Sequence, residues 1–407
     1  MSTAVFPALI DCHVHFREPG LEHKADMATE GLAAFHGGIR TVCEMPNTNP
    51  GTHTVAAFAD KVERAKRIAD KCDIRFYFGA VASAHVAELE ALWTKPENEA
   101  LKKRCSGLKL YLDNSTGNMK ADESVVEEAF ALCGRLRIPL VAHCECSSIN
   151  NEAAEAHPPT TVEAHSKRRP ESSEVTSIRS AVTLAEKHGT LLHVAHLSTA
   201  GGLELVRDAK KRGLPVTCEV TPHHLFLTTA DYPEMQSRIK VNPPIRTHEK
   251  EHLWVGLLDG TIDCVATDHA PHLMDEKALG PNAPSGMPGV EVVLSLMISV
   301  VAGHWPHPTA PPPACLTAGK DGGLEGIDFA ALKMLMFTHP NAIFSLGCDA
   351  KDAIEVTTEG ERIIRNEDMH SKCQWTPYDG WKVKGRMALA VTRSFNAVFK
   401  VRCCVSL

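Results

Sequence analysis

The 407-residue sequence predicts an α/β fold, a TIM-like (β/α)8 barrel followed by a small β-rich C-terminal extension. Apolar runs of strand length recur eight times along the chain, and amphipathic stretches of helix length lie between most of them. Glycines such as Gly189 and Gly213 follow the helical stretches, where a left-handed cap is favourable. Eight strands alternating with helices favour a closed barrel over a doubly wound open sheet.

The predicted strands follow one another at regular intervals. They cover residues 7–11, 39–45, 73–81, 107–112, 138–142, 191–195, 214–220 and 262–267. Predicted helices between them include residues 55–71, 123–135, 174–188 and 200–212. Short apolar runs also occur as buried helix segments, which leaves open the alternative that one of the eight strands is misplaced.

The domain organisation predicted from the sequence is a barrel over residues 1–345 and a small β-rich tail over residues 346–407 that packs on it. The proline- and glycine-rich stretch 303–326 interrupts the rhythm and is predicted to be a surface insertion, with a last helix near residues 329–337. Only about six residues precede the first predicted strand, so any terminal β-sandwich has to come mainly from the tail.

Composition excludes several classes of function. The net charge of −7 gives no general attraction to nucleic acid or to anionic lipid, and we expect the clusters 167–169 (KRR) and 210–212 (KKR) to be solvated surface. No run approaches the ~18 apolar residues of a membrane span. The 14 cysteines are spread thinly behind a start that does not resemble a secretory leader, so we expect reduced thiols and a cytoplasmic location.

Polar residues at the predicted strand ends carry the candidate chemistry. A two-residue spacing on a strand points His13 and His15 to the same face, and Lys109 lies within an apolar strand. Taken singly, each histidine fits a hydrogen-bonded structural role and the lysine fits a core stem whose ammonium reaches water. Together they place imidazole, lysine and carboxylate on one barrel rim, where barrel enzymes build their sites. The candidate metal ligands are His13, His15, Lys109, His143, His196 and Asp268.

Five segments in order resemble the signatures of dihydroorotases, which are cyclic amidohydrolases. The segments are residues 13–20 (HVHFREPG), 45–48 (MPNT), 107–111 (GLKLY), 241–246 (VNPPIR) and 268–272 (DHAPH). The resemblance spans roughly residues 7 to 302, with a fainter echo at residues 380–385 (GWKVKG). It implies reversible, zinc-dependent interconversion of N-carbamoyl-L-aspartate and L-dihydroorotate in pyrimidine biosynthesis.

The resemblance also implies the roles of the candidate ligands. His13, His15 and Asp268 would hold one Zn²⁺, and His143 and His196 a second. Lys109, carboxylated by CO₂, would bridge the two ions, because only a neutral amine attacks CO₂ and burial beside cations lowers a lysine pKa. Asp268 and Lys109 are therefore the expected catalytic residues, with Asp268 passing a proton to the leaving nitrogen.

Substrate recognition is implied by the same resemblance. A guanidinium suits a planar carboxylate, and Arg17 would bind the ring carboxylate with Asn47 and His272. The ring amide edges and a closing loop would involve Asn242, the backbone at Pro288 and Gly289, and the hydroxyls of Ser115 and Thr116. The alternatives are a loop salt bridge from Arg17 to Glu18 or Asp26, and a plain surface turn around residue 115.

One position departs from the pattern of some animal relatives, which carry a cysteine before the histidine of strand six. Ala195 stands there and cannot bind metal, so we expect two metal ions and no third. Glu219 remains a candidate acceptor behind the ligands. Cys12, Cys144 and Cys218 are expected to be packing residues.

Two other functions remain as alternatives. A sister cyclic amidohydrolase acting on allantoin, hydantoin or dihydropyrimidine would share the metal ligands but not the carboxylate-binding residues. A non-catalytic scaffold would have lost ligands, and none of the six is missing. The expected partner is a small-molecule substrate, with a homodimer or an association with other pyrimidine-pathway enzymes as further options.

Overall fold

The computed structural model describes residues 3–114, 119–318 and 324–391. Ser115 and Thr116, the predicted hydroxyls of a closing loop, lie outside the described residues.

Eight parallel strands form the barrel sheet, in the same order as in the chain. A further parallel bridge between Val14 and His269, with the His15 amide donating to the His269 carbonyl at 2.7 Å, connects the first strand to the chain beyond the last. The predicted barrel is confirmed. After an N-terminal strand β1 (Thr3–Pro7), the barrel strands are β2 (Leu9–Val14), β3 (Ile39–Glu44), β4 (Asp73–Gly79), β5 (Cys105–Tyr111), β6 (Leu140–His143), β7 (Leu192–Val194), β8 (Val216–Val220) and β9 (Cys264–Val265).

Helices surround the sheet, and the four predicted from periodicity are present with ends shifted by a few residues. The helices in the first part of the barrel are α1 (Met27–His36), α2 (Val55–Ala65), α3 (Ser83–Thr94), α4 (Glu99–Lys102), α5 (Glu123–Leu136), α6 (Ser147–Ala156), α7 (Ala164–Arg168), α8 (Glu171–His188) and α9 (Ala200–Lys211). They are followed by α10 (Pro222–Phe226), α11 (Tyr232–Met235), α12 (Lys250–Leu258), α13 (Met274–Lys277), α14 (Val293–Val301), α15 (Phe329–Lys333) and α16 (His339–Ile343).

Helix ends follow the local chemistry of the sequence. Asp26 caps α1 by accepting from the amides of Ala28 and Thr29, and Gly189 ends α8 with φ of 65°. Short 3-10 turns (Lys66–Ile68, Pro96–Asn98, Thr229–Asp231, Gln236–Ile239, Gly280–Asn282, Asn366–Asp368) and one π-helical turn (Met334–Thr338) complete the helical structure. Among the described helices, none combines the length and apolar character needed to span a membrane.

Two apolar clusters hold the barrel together. The larger one fills the space between the sheet and the surrounding helices. The smaller one fills the barrel interior, where Ile10, Tyr77 and Val141 meet Phe337 and Phe344 from the last helical segment. The barrel interior is therefore a packed core rather than a pore.

The small terminal sheet differs from the prediction. Strand β1 pairs with β12 (Ala353–Ile363), and β12 pairs with β13 (Lys382–Val391), all antiparallel. The predicted first strand, residues 7–11, joined the end of β1 to the start of β2, because residues 4–12 form one largely apolar run. The tail supplies two of the three described strands, as expected, and the N-terminus contributes a third strand that was not predicted.

The insertion at residues 303–326 is described except for residues 319–323 and contains a short hairpin of β10 (Thr317–Ala318) and β11 (Leu324–Glu325). Trp305 packs against Phe226 with ring centroids 5.0 Å apart, and His307 bonds Asp231 at 3.0 Å. These contacts attach the insertion to the barrel.

Candidate metal centre and substrate cavity

The strand ends bring four predicted imidazoles and one carboxylate around a single cavity. His13 lies in β2 and His143 ends β6, whereas His15, His196 and Asp268 lie in the loops that follow their strands. The cavity is lined by His13, His15, Tyr111, His143, His196, Asn242, Asp268, Ala270, Ser285 and Gly286. Its position at the carboxyl ends of the strands is where barrel enzymes place their chemistry.

Three site residues have a left-handed backbone that non-glycine residues rarely adopt. The φ angles are 66° at Arg17, 35° at His196 and 47° at Asp268. Such conformations cost roughly 1–3 kcal/mol each and persist only where surrounding contacts enforce them. These three backbone conformations therefore lower the stability of the fold, and they set the directions in which the three side chains point.

His13, His15 and Asp268 form one group with the geometry of a metal site. The Asp268 carboxylate oxygen lies 3.2 Å from Nε2 of His13 and 3.0 Å from Nε2 of His15. Their candidate ligand atoms all lie within 4.8 Å of one another, and all three residues are buried. Two imidazole nitrogens and a carboxylate oxygen facing one point are a typical donor set for zinc.

His143, His196 and Lys109 form the adjoining group. Nδ1 of His143 lies 2.9 Å from Nε2 of His196, and the His13 and His196 rings are 5.2 Å apart, so the two groups are contiguous. Within the described residues, Lys109 Nζ and His196 Nδ1 are buried without a hydrogen-bond partner. Buried polar atoms without partners are costly, and bound cations with a carboxylated lysine would supply those partners.

Burial and neighbouring charges set the protonation of these groups. Burial lowers the pKa of Lys109 to about 8 and the pKa of His15 to about 4. Burial acts to raise the pKa of Asp268, but the His13 and His15 imidazoles outweigh it and hold that pKa well below its usual range. These shifts favour a neutral imidazole at His15 and an ionised carboxylate at Asp268, which are the forms that bind metal. The complete burial of Lys109 contradicts the alternative in which its ammonium reaches water.

Glu219 in β8 lies behind the first group. Its carboxylate accepts from Nδ1 of His13, from Nε2 of His193 at 3.2 Å, from the His196 amide at 3.1 Å and from Cys12 Sγ at 3.3 Å. Burial acts to raise the pKa of Glu219, but the His13 and His193 imidazoles outweigh it and hold that pKa well below its usual range. A carboxylate that fixes the far nitrogen of a ligand histidine orients the ring and increases its basicity.

Two other candidate ligands, His15 and His143, are hydrogen-bonded in the same way. Asn47 Oδ1 accepts from Nδ1 of His15 at 2.7 Å, and Glu145 accepts from Nε2 of His143 at 2.8 Å. The Asn47 side chain, predicted to bind substrate, thus also contacts a metal-ligand candidate.

Arg17 and His272 adjoin the cavity beside the first group. Nη2 of Arg17 lies 3.1 Å from Nε2 of His272, and Nε of Arg17 donates to the Pro271 carbonyl at 3.1 Å. Glu18 instead pairs with Arg64 and Arg67. Asp26 pairs with Arg67 and Lys372, so neither carboxylate forms the alternative salt bridge with Arg17. Arg17 is therefore a buried guanidinium held near Asp268 without a carboxylate hydrogen bond among the described contacts.

Pro288 and Gly289, predicted to contact substrate, do not line the main cavity. They line a neighbouring cavity, and the Gly289 amide donates to Nδ1 of His269 at 3.1 Å. Asn242, by contrast, lines the main cavity, where its Oδ1 lies 2.9 Å from Nε2 of His165.

Sequence reasoning missed part of the supporting network. Arg169 was expected on a solvated surface, but it is largely buried and bonds Glu145 and Asp113. That expectation is wrong for Arg169, since a cluster of basic residues gives no sign of which member turns inward. The spacing of Glu145 two residues beyond His143 repeats the spacing of His13 and His15, and this signal was available.

A parallel barrel with imidazoles, a buried lysine and a carboxylate at its strand ends defines a metal-dependent amidohydrolase. A family model described as Dihydro-orotase-like matches residues 3–201. The chain is 36% identical to a dihydroorotase of Staphylococcus epidermidis, over 96% of this chain and 86% of that protein. The chain belongs to the dihydroorotase family.

Two further similarities place the chain in a wider context. It is 32% identical to the multifunctional protein CAD of Squalus acanthias, over 95% of this chain and 14% of that much longer protein. The L-hydantoinase (dihydropyrimidinase) of Arthrobacter aurescens has a similar structure, with a TM-score of 0.83, 25% identity, and coverage of 97% of this chain and 84% of that one. The barrel and its terminal sheet are thus shared with other cyclic amidohydrolases.

Proposed function

We propose that this chain is a dihydroorotase that interconverts N-carbamoyl-L-aspartate and L-dihydroorotate. The observation that carries the proposal is the buried Arg17 guanidinium, 3.1 Å from His272, beside a cavity ringed by metal-type donors. A cyclic amide bearing a carboxylate requires both features: donors for a metal at the amide and a cation for the carboxylate. Dihydroorotate has this combination.

The metal proposal is two Zn²⁺ ions per chain. His13, His15 and Asp268 would hold one ion and His143 and His196 the other, with carboxylated Lys109 between them. The contiguity of the two groups and the unpartnered Lys109 Nζ support this arrangement. A divalent metal bound there lowers the pKa of water and polarises the amide carbonyl.

The residues of the chain then divide the remaining work. Arg17, Asn47 and His272 would bind the substrate carboxylate and so fix the ring above the donors. Asp268 is ionised and faces the cavity, so it would accept a proton from the attacking water and deliver it to the ring nitrogen as the C–N bond breaks. Ring closure reverses these transfers.

The remaining proposed substrate-binding residues rest on two kinds of support, the position in the structure and the family resemblance. They are Asn242, Pro288, Gly289, Ser115 and Thr116. Asn242 lines the main cavity, which supports a contact with the ring amide. The roles of the other four rest on the family resemblance.

The competing substrate is an uncharged cyclic amide such as dihydrouracil, since a hydantoinase shares the fold. Steady-state rates on dihydroorotate and dihydrouracil with the zinc-loaded protein decide between them. We expect kcat/KM for dihydroorotate to exceed that for dihydrouracil by at least a hundredfold. Equal values for the two substrates would contradict the proposal.

A scaffold without metal is tested by elemental analysis. We expect about two zinc ions per chain after reconstitution with zinc and bicarbonate. Fewer than one, together with no turnover, would favour the scaffold.

Cellular context belongs to the same proposal. Each described cysteine is a free thiol, which suits a reducing compartment such as the cytoplasm. The similarity to part of CAD supports association with other pyrimidine-pathway enzymes, and a homodimer remains the alternative.

A further inference from the structure

A short segment of the tail, residues 369–376, crosses from the terminal sheet to the loop that carries Asp268. We call it the strap. The Ser371 hydroxyl donates to Glu30 at 2.6 Å, and the Lys372 amide donates to the same carboxylate at 2.9 Å. Trp375 Nε1 donates to the carbonyl of His272 at 2.7 Å. The strap therefore touches both α1, through Glu30, and the far end of the loop.

Glu30 is a fully buried carboxylate with four donors. Besides the two from the strap, it accepts from the Thr29 hydroxyl at 2.9 Å and from Nε2 of His269 at 2.7 Å. A buried carboxylate is tolerated only when its oxygens are satisfied, so each of these donors has a defined position. In the sequence, Glu30 looks like an ordinary acidic residue in the first turn of a helix. Its hydrogen-bond partners come from distant segments and are visible only in the folded structure.

The imidazole of His269, next to Asp268, is hydrogen-bonded at both of its ring nitrogens. Its Nδ1 accepts from the amides of Gly289 and Val290 at 3.1 and 3.3 Å. Nδ1 therefore carries no proton, and Nε2 donates to Glu30. The ring has one orientation and one tautomer, both determined by neighbours outside the loop.

The neighbours of Asp268 on either side are thus fixed to different parts of the barrel. On one side the Thr267 amide donates to Asp11 at 3.1 Å, and on the other His269 is fixed by Glu30. Asp268 itself has φ of 47°, a conformation that relaxes unless both flanks are held. The distance from the Asp268 carboxylate to His13 and His15 depends on that backbone angle.

We propose that the strap and Glu30 are a positioning device for the Asp268–His272 loop: Glu30 acts through His269 on Asp268, and Trp375 acts on His272. This inference rests on the proposed function, because it assigns proton transfer to Asp268 and carboxylate binding to His272. Glu30, Ser371 and Trp375 are positioning residues, since none of them lines the substrate cavity. The C-terminal tail thereby becomes part of the active-site architecture.

The two contacts predict separable kinetic effects, which a loss of stability alone would not give. Glu30→Gln replaces one carboxylate oxygen by an NH₂ group, which cannot accept the hydrogen bonds that this oxygen accepts. His269 then loses its fixed position, and the neighbouring Asp268 shifts with it. We expect kcat to fall about tenfold with KM for dihydroorotate within about twofold, and zinc loss to a chelator to become about tenfold faster. In Trp375→Phe the His272 carbonyl loses its donor, and we expect KM to rise about fivefold with kcat within about twofold.

Two further variants complete the experiment. Ser371→Ala removes one donor from Glu30 without placing a new group there. We expect kcat to fall about threefold and zinc loss to become about threefold faster. This variant tests the inference even if Glu30→Gln does not fold. Lys372→Met is the matched control, because its half-exposed ammonium contacts Glu22 and Asp26 while its backbone amide still reaches Glu30. All values for Lys372→Met should lie within twofold of wild type.

Folded Glu30→Gln, or Ser371→Ala, with wild-type kcat and wild-type zinc loss would overturn the inference. So would kcat and KM changing by equal factors in both Glu30→Gln and Trp375→Phe. A zinc-loaded wild type inactive on dihydroorotate would instead overturn the proposed function, and the rate of zinc loss would still report on the strap. The two failures are therefore distinguishable.

Discussion

The imidazole of His13 is held from behind by the carboxylate of Glu219. Nδ1 donates to that carboxylate, and Nε2 faces Asp268 at 3.2 Å. Because one nitrogen is committed to Glu219, the other is presented to the cavity as a lone pair in a fixed direction. Glu219 in β8 thus orients the His13 ring in β2, although the two residues lie 206 positions apart in the sequence.

Glu219→Gln should therefore weaken both the metal site and the fold. The amide replaces an acceptor of four hydrogen bonds by a group with two donors of its own, at full burial. We expect the free energy of unfolding to fall by about 3 kcal/mol and zinc affinity to fall roughly ten- to a hundredfold. Chelator competition and urea unfolding measure the two effects. Glu186→Gln, an exposed partner of Arg212, is the control and should change neither.

Recovery of the metal-free protein should depend on pH through Lys109. Only the neutral amine reacts with CO₂, and burial lowers the Lys109 pKa to about 8. The neutral fraction then rises with pH, so the rate of reactivation by zinc at constant dissolved CO₂ should increase roughly tenfold from pH 7 to pH 9. An ordinary lysine pKa would give roughly a hundredfold increase, and a bridge independent of Lys109 would give none. Lys109→Met should not reactivate at either pH.

Arg17→Met should separate the substrates. It would remove the proposed charge-assisted contact to the substrate carboxylate, worth about 1.5–3 kcal/mol, so KM for dihydroorotate should rise roughly 10- to 150-fold. The rate on dihydrouracil should stay within about twofold, because that ring has no carboxylate. Arg207→Met, whose side chain pairs with Glu204 and Asp259 at the surface, should leave both rates unchanged. Equal losses on both substrates would show that Arg17 supports the metal site instead.

Gly286 tests the shape of the cavity wall. Its φ is 134°, and a Cβ there would lie 2.7 Å from the Ala270 carbonyl and 3.0 Å from Nε2 of His272. We expect Gly286→Ala to raise KM for dihydroorotate at least tenfold, because His272 must move. Gly280→Ala meets nothing within 4 Å at φ of 59° and carries backbone strain alone. Similar kinetics for the two variants would exclude the steric effect on His272.

The barrel and the main donors could be predicted because each has a local signature. Strands such as Ile39–Glu44 are apolar runs, and the spacing of His13 and His15 is visible within three residues. Periodicity therefore located eight strands, and the chemistry at their ends located the cavity.

The supporting network had no such signature. Glu30 and Ser371 lie 341 positions apart, and His13 and Glu219 lie 206 apart, so only tertiary folding brings each pair together. Strand β1 was not predicted as a separate strand, because its residues continue into the apolar run of β2 and its partner, Ala353–Ile363, lies at the other end of the chain. Burial of Arg169 likewise depends on the position of Glu145, which no local pattern reports.

The central claim is that Lys109 becomes an anionic bridge at a two-zinc site. The most direct measurement is ¹³C NMR of the active enzyme reconstituted with zinc and ¹³C-bicarbonate, alongside elemental analysis. We predict one carbamate carbon and two zinc ions per chain, with the carbamate signal absent in Lys109→Met. A fully active wild type that shows no carbamate carbon would contradict the account.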